Sequence, residues 1–196
     1  MSYCDGLISK DVKDVSCENP AVKGFERVGV IVNRADIDFS GVTFSTTAKN
    51  ALTALPLLTG KKGYKIEQHG ATPYTGSTSS LEAGTYKNGF NNNVSFAILN
   101  NDAETAEKVI DGLASGEFVV VLEMKDKGNG NKSAFRVYGL HNGLTASAYE
   151  HDPYGDAYAG GVVTLTENLA PMSAVYLGES YTAGKTLFDS LLETAE

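Results

Sequence analysis

The chain of 196 residues has no run of eighteen consecutive apolar residues, so no transmembrane helix is expected. Only two cysteines occur, Cys4 and Cys17, too few for a disulfide framework or a four-cysteine zinc site. They are read as free thiols in a reducing cytoplasm. Basic residues are scarce as well. Sixteen lysines and arginines face 24 acids, for a net charge of −8. That balance opposes wrapping of DNA, which needs basic stripes to neutralise phosphates. The opening MSYCDGLISKDVKDV lacks a basic region followed by an apolar core, so no signal peptide is expected and synthesis is expected in a cytoplasm.

Signatures of chemistry are missing too. H-E-x-x-H, G-x-S-x-G and C-x-x-C do not occur, and KGNGNKS lacks the spacing of a phosphate-binding loop. SYTAGKTLF contains GKT, but the position five residues before Gly184 is Glu179 instead of glycine. His69, His141 and His151 lie in or beside loop-like sequence without ligand spacing and are read as solvated loop histidines. No catalytic residue, cofactor or metal is expected.

What remains is a strand-rich chain with an ordinary hydrophobic share of 42%. Residues 1–24 are polar and read as an extended arm. FERVGVIV (25–32), KKGYKIEQHG (61–70), VSFAILNN (94–101), EFVVVLEM (117–124), AFRVYGL (134–140) and SAVYLG (173–178) read as strands. ADIDFSGVTFS (35–45) alternates around Ile37, Phe39 and Val42. Residues 46–63 hold Leu52, Leu55, Leu57 and Leu58 around Pro56, which excludes a regular helix. This segment reads as a long, partly apolar connection, available either to its own core or to a partner. HGATPYTGSTSSLEAGTYKNG (69–89) is rich in Gly, Ser and Thr and reads as loop.

NDAETAEKVIDGLASGEF gives the clearest helix, about 102–115. Asn101 is placed to cap it with Glu104, Ala106, Val109, Ile110 and Leu113 form one face, and Gly116 ends it. Residues 181–196 carry Leu187, Leu191 and Leu192 at the spacing of a short final helix. The expected fold is mainly β (α+β): an antiparallel β-sandwich or barrel over residues 25–180. One helix flanks it, with an N-terminal arm and a long inter-strand loop.

GLTASAYE and GGVVTLTE alternate with a period of two and read as a hairpin. Its tip gathers Tyr149, Glu150, His151, Asp152, Tyr154, Asp156 and Tyr158. Asp152-Pro153-Tyr154-Gly155 has turn chemistry and lacks the calcium spacing of an EF-hand. The tip is read as a solvated turn, as an inter-subunit contact through its tyrosines, or as a metal or catalytic site.

The pattern GLTASAYEHDPYGDAYAGGVVTLTENLAPMSAVYLG resembles the C-terminal half of bacteriophage tail tube proteins of the type found in phages of Bacteroidota hosts. CDGLISKDVKDVSCENPAVKG and NNVSFAILNND followed by a helix are similar to the same pattern, so the resemblance covers nearly the whole chain. It implies a β-sandwich or barrel subunit. Six copies would form a ring whose sheets join into an inner barrel, and rings would stack into a tube conducting the DNA genome. The implied partners are further copies, other tail proteins and DNA passing without specific binding, with no membrane. The implied location is the virion tail, after synthesis in the host cytoplasm. Residues 46–63, the arm 1–24 and the last helix would bridge rings. The contact candidates are Leu52, Leu55, Leu57, Leu58, Tyr149, Tyr154 and Tyr158. The alternatives are another assembly or surface module, such as a tail terminator, baseplate part or pilin-like subunit, or a small hydrolase. An acidic lumen would repel phosphate and let DNA slide.

Overall fold

The computed structural model describes residues 8, 10–12, 21–100, 102–155 and 160–195. Most of the arm, together with Cys4, Cys17, Asn101, Asp156 and Tyr158, lies outside the described residues. The described chain is mainly β and forms two sheets, consistent with a sandwich.

The larger sheet holds β1 (Phe25–Asn33), β2 (Thr43–Phe44), β3 (Ala51–Ala54), β4 (Tyr64–Glu67), β7 (Phe118–Met124), β8 (Phe135–Tyr138) and β11 (Val175–Leu177). Its order is β2-β3-β11-β8-β7-β1-β4. The smaller sheet holds β5 (Thr78–Glu82), β6 (Gly89–Ile98), β9 (Thr145–Glu150) and β10 (Gly161–Ala170), in the order β5-β6-β10-β9. All named pairs are antiparallel except β3 with β11.

β7 explains the layering. Its first five residues, FVVVL, are all buried, because the strand is covered on both faces. The two-residue period sends Val119 and Val121 to one side, with Val30, Val32, Phe135, Val137, Phe188 and Leu191. Phe118, Val120 and Leu122 go to the other, against Val94, Phe96, Val163 and Leu165 of the smaller sheet. The C-terminal helix, Tyr181–Ser190, therefore covers the outer face of the large sheet, and Ser180 caps it through Ala183 N.

Three readings of the sequence are corrected. Residues 46–63 are not simply a connection, because β3 lies inside them, paired with β2 and β11. Pro56 forbids a helix there but not a short strand that ends before it. Residues 69–89 contain β5, whose five residues are all exposed. An edge strand with no inward apolar set carries no alternation to read. The central helix is capped by Asp102, whose Oδ1 accepts Thr105 N at 2.8 Å. It runs as Ala103–Thr105, a π-wound turn Ala106–Ile110, and Asp111–Ser115. The wider turn breaks the phase of the expected apolar face. Leu113 is buried and Ile110 half-buried, while Ala106 and Val109 are exposed.

Two side chains close the opening between the sheets beside β4. The Gln68 amide donates to Ala97 O at 2.7 Å and accepts from Ala97 N at 3.0 Å, imitating a strand partner. The Tyr74 hydroxyl, buried from the loop before β5, donates to Ile66 O at 3.0 Å. Burial raises the Tyr74 hydroxyl far above the ordinary tyrosine range.

Candidate functional site

The outer face of the small sheet is built mainly from short polar side chains, with Ala97, Ala148 and the exposed Val162 at one end. Asn93 Nδ2 donates to Thr78 Oγ1 at 3.3 Å, and Thr166 Oγ1 donates to Asn93 Oδ1 at 2.8 Å. Ser147 Oγ lies 2.8 Å from Thr166 Oγ1, so one hydrogen-bonded row crosses all four strands. Ser95 and Thr164 form a second rung at 2.9 Å. Ser147 reaches this row because β9 bulges opposite Thr164 and Leu165. None of the four strands contains a lysine or arginine, and their only charged residues are Glu82, Glu150 and Glu167. β5 and β9 are paired on one side only.

The β9–β10 hairpin carries the Tyr-rich tip. Gly155 N donates to Asp152 O at 3.0 Å, and Asp152 Oδ1 accepts Tyr154 N at 2.9 Å, which is the turn that Asp-Pro-Tyr-Gly predicts. Tyr154 is fully exposed. Tyr149 pairs with Val163 on the inner face, and its ring lies over Gly161. Tyr158 lies outside the described residues. Among the described residues no group of three or more His, Cys, Asp and Glu could hold a metal ion.

The leucines divide sharply. Leu52 is 0% and Leu55 4% exposed, and both belong to the subunit's own core. That corrects their reading as contacts to another copy: apolar side chains already buried at home have no surface to offer. Leu57 is half-buried against the same core and bridges Ile37. Leu58 is exposed at 44%.

One polar cluster escaped the sequence reading. Glu167 on β10 is 2% exposed. Its Oε2 accepts Asn92 Nδ2 at 2.9 Å and Gly139 N at 3.0 Å. Its Oε1 accepts His141 N at 3.2 Å and Asn142 N at 3.0 Å. The small sheet thus grips the turn that leaves β8 of the large sheet. Gly139 and Gly143 bound that turn with φ of +81° and +77°, where side chains are disfavoured. The chain of bonds runs on from Asn92 Oδ1 to Ser79 Oγ at 2.6 Å and from Ser79 to Arg136 Nη2 at 2.7 Å. The signal was present in GGVVTLTE: Val163, Leu165 and Glu167 share one face, so an acid sits at an inward position.

His141 belongs to this cluster, and its reading as a solvated loop histidine is corrected. Its ring stacks on Phe44 at 6.4 Å with 6° between planes, and its carbonyl accepts Arg34 Nη2 at 2.9 Å. Its Nε2 is buried without a hydrogen-bond partner, as is Arg34 Nε. Burial lowers its proton affinity, the Glu167 carboxylate opposes this, and Arg34 adds to it. A cavity of about 10 Å³ lies between Asn92, Arg136, His141 and Glu167, enough for one water and too small for an organic substrate.

Among the described residues no helix is long and apolar enough to cross a membrane. Comparison with known proteins finds no family model, no curated protein and no solved structure that matches the chain.

Proposed function

We propose that this chain is the structural subunit of a bacteriophage tail tube, self-assembling into stacked hexameric rings that conduct the DNA genome. The observation that carries this reading is the outer face of the small sheet: polar, without a cation, and bounded by the half-paired strands β5 and β9. Edges of this kind accept a further strand, and a neighbouring copy can supply it. Closed rings are a normal product of head-to-tail interfaces. A lumen lined by hydroxyls, amides and a few carboxylates gives phosphate no cation to stop at, so DNA slides.

The partners on this reading are further copies, other tail proteins and DNA in transit, and the place of action is the virion tail. Among the described residues the fully exposed Tyr154 and the exposed Tyr149 and Leu58 are the contact candidates that keep free surface. Tyrosine suits such a role because it offers large area at low entropic cost.

Negative-stain microscopy of the purified protein tests the reading. Hollow tubes or six-fold rings are expected. A monodisperse monomer at high concentration, in every salt condition, rejects it. Rings that close but never stack would point to a terminator or baseplate component.

A further inference from the structure

We propose that His141 is an acid-sensitive latch: on taking up a proton it pulls the turn at residues 139–142 away from Glu167 and loosens the joint between the two sheets. The latch works within the single subunit, whatever that subunit assembles into.

Among the described protein groups the geometry offers the second proton no acceptor. A protonated imidazole carries N–H on both nitrogens, and Nε2 is buried without an acceptor. The charged groups around the ring come from four places. Glu167 on β10 is the carboxylate of the cluster, and four N–H groups already occupy its oxygens. Arg34, in the 3-10 turn after β1, puts a cation on the histidine's own carbonyl. Arg136 on β8 lines the same cavity and is spent on Ser79 Oγ and Ser173 O. Glu117 lies 3.5 Å from Arg34 Nη1 and offsets that charge. A protonated ring would therefore stand near two guanidiniums, with the Glu167 carboxylate engaged by four N–H groups and Glu117 paired with Arg34. An unpaired buried charge is strongly disfavoured against the same charge in water.

The escape route runs through the latch. His141 is half-buried beside the exposed Asn142, and among the described residues its one ring contact is with Phe44 of the short edge strand β2. Swinging the ring outward moves the His141 backbone, whose N–H makes the longest of the four bonds to Glu167, at 3.2 Å. Losing that bond weakens its neighbours at Gly139 and Asn142, which hold the same turn.

The sign follows from the lowered proton affinity. In the unfolded chain the ring titrates near its ordinary value of 6.5, and in the folded chain below it. The stabilisation is complete above about 6.5 and is lost as pH falls through the folded value. One proton changes the folding constant by at most about tenfold per pH unit.

The experiment compares wild type, His141→Phe, His69→Gln and His151→Gln between pH 7.5 and 5.5. It uses urea midpoints and amide exchange at Gly139, His141 and Asn142, corrected for intrinsic rates. In wild type and in the two control variants the midpoint is expected to fall with pH, and the three amides to lose several-fold protection. In His141→Phe both responses should vanish, because phenylalanine keeps the stacking and cannot be protonated. Equal pH dependence in wild type and His141→Phe overturns the latch, as does unchanged protection of the three amides in wild type. If His141→Phe does not fold, NMR titration of the wild-type imidazole decides. A native value below 6.5, with the amides of residues 139–142 shifting in step, upholds the latch; a value at or above 6.5 overturns it.

Discussion

Glu167 Oε2 lies 3.0 Å from the backbone nitrogen of Gly139, so a carboxylate of one sheet is bonded to the exit turn of the other. The substitution Glu167→Gln removes one of its two acceptor oxygens. Each oxygen serves two donors, so either orientation of the new amide leaves a backbone N–H facing another N–H. A buried donor stranded in this way, plus the lost charge-assisted bonds, costs about 3 kcal/mol. Urea unfolding should show that loss. Glu150→Gln, exposed on the neighbouring strand, should stay within about 0.5 kcal/mol of wild type. Equal stability of the two variants would mean that the grip contributes nothing to holding the sheets together.

Tyr149 and Gly161 face each other across the β9–β10 hairpin. A Cβ on Gly161 would lie 2.5 Å from the Tyr149 ring, closer than packing permits. Gly161→Ala therefore has to displace the ring, at about 1–3 kcal/mol. Removing the ring removes the conflict. The double variant Gly161→Ala, Tyr149→Ala should be more stable than the sum of the two single losses predicts, by about 1 kcal/mol or more. Strict additivity in thermal melts would show that the ring does not lie there.

Strands with strong patterns were legible. FERVGVIV and EFVVVLEM run apolar because they pack on both faces, GGVVTLTE alternates because one face is buried and the other open, and they appear as β1, β7 and β10. β5 was hidden because TSSLE has no buried face to impose a period. The helix was found, but its middle turn is π-wound, and a 3.6-residue template misplaces Val109 onto the buried side. Leu52 and Leu55 show the opposite failure. Pro56 and the glycines nearby advertise a loop, yet the leucines pair with long-range partners that no local window contains. The Glu167 cluster draws on four separate stretches of chain, so only the inward placement of an acid on β10 hints at it in sequence.

The leucines then separate stability from association. Leu52→Ala and Leu55→Ala each open a cavity in the core and should cost about 2–5 kcal/mol. Leu58→Ser touches an exposed side chain, and the subunit's melting should barely move. On the tube reading, the same substitution should raise the concentration at which sedimentation velocity detects polymers. Polymerisation indistinguishable from wild type would remove Leu58 from the contact and leave that role to the tyrosines.

The small sheet offers the sharpest test of which surface faces DNA. Ser80 and Thr145 are exposed, and their partners Asn91 and Thr166 place them on the outer face of β5 and β9. The pair Ser80→Lys and Thr145→Lys adds two cations per copy to a face whose strands have none. If that face lines a lumen, the wild-type tube should not hold duplex DNA at about 150 mM salt, because no cation there releases counterions from phosphate. Tubes of the double variant should retain a short duplex and shield it from nuclease. The retained fraction should fall steeply as salt rises, since phosphate neutralisation is the only new interaction. Nuclease sensitivity distinguishes inside from outside. DNA that binds the variant but is digested at the free rate would place the face on the exterior, and the lumen reading of the small sheet would have to be abandoned.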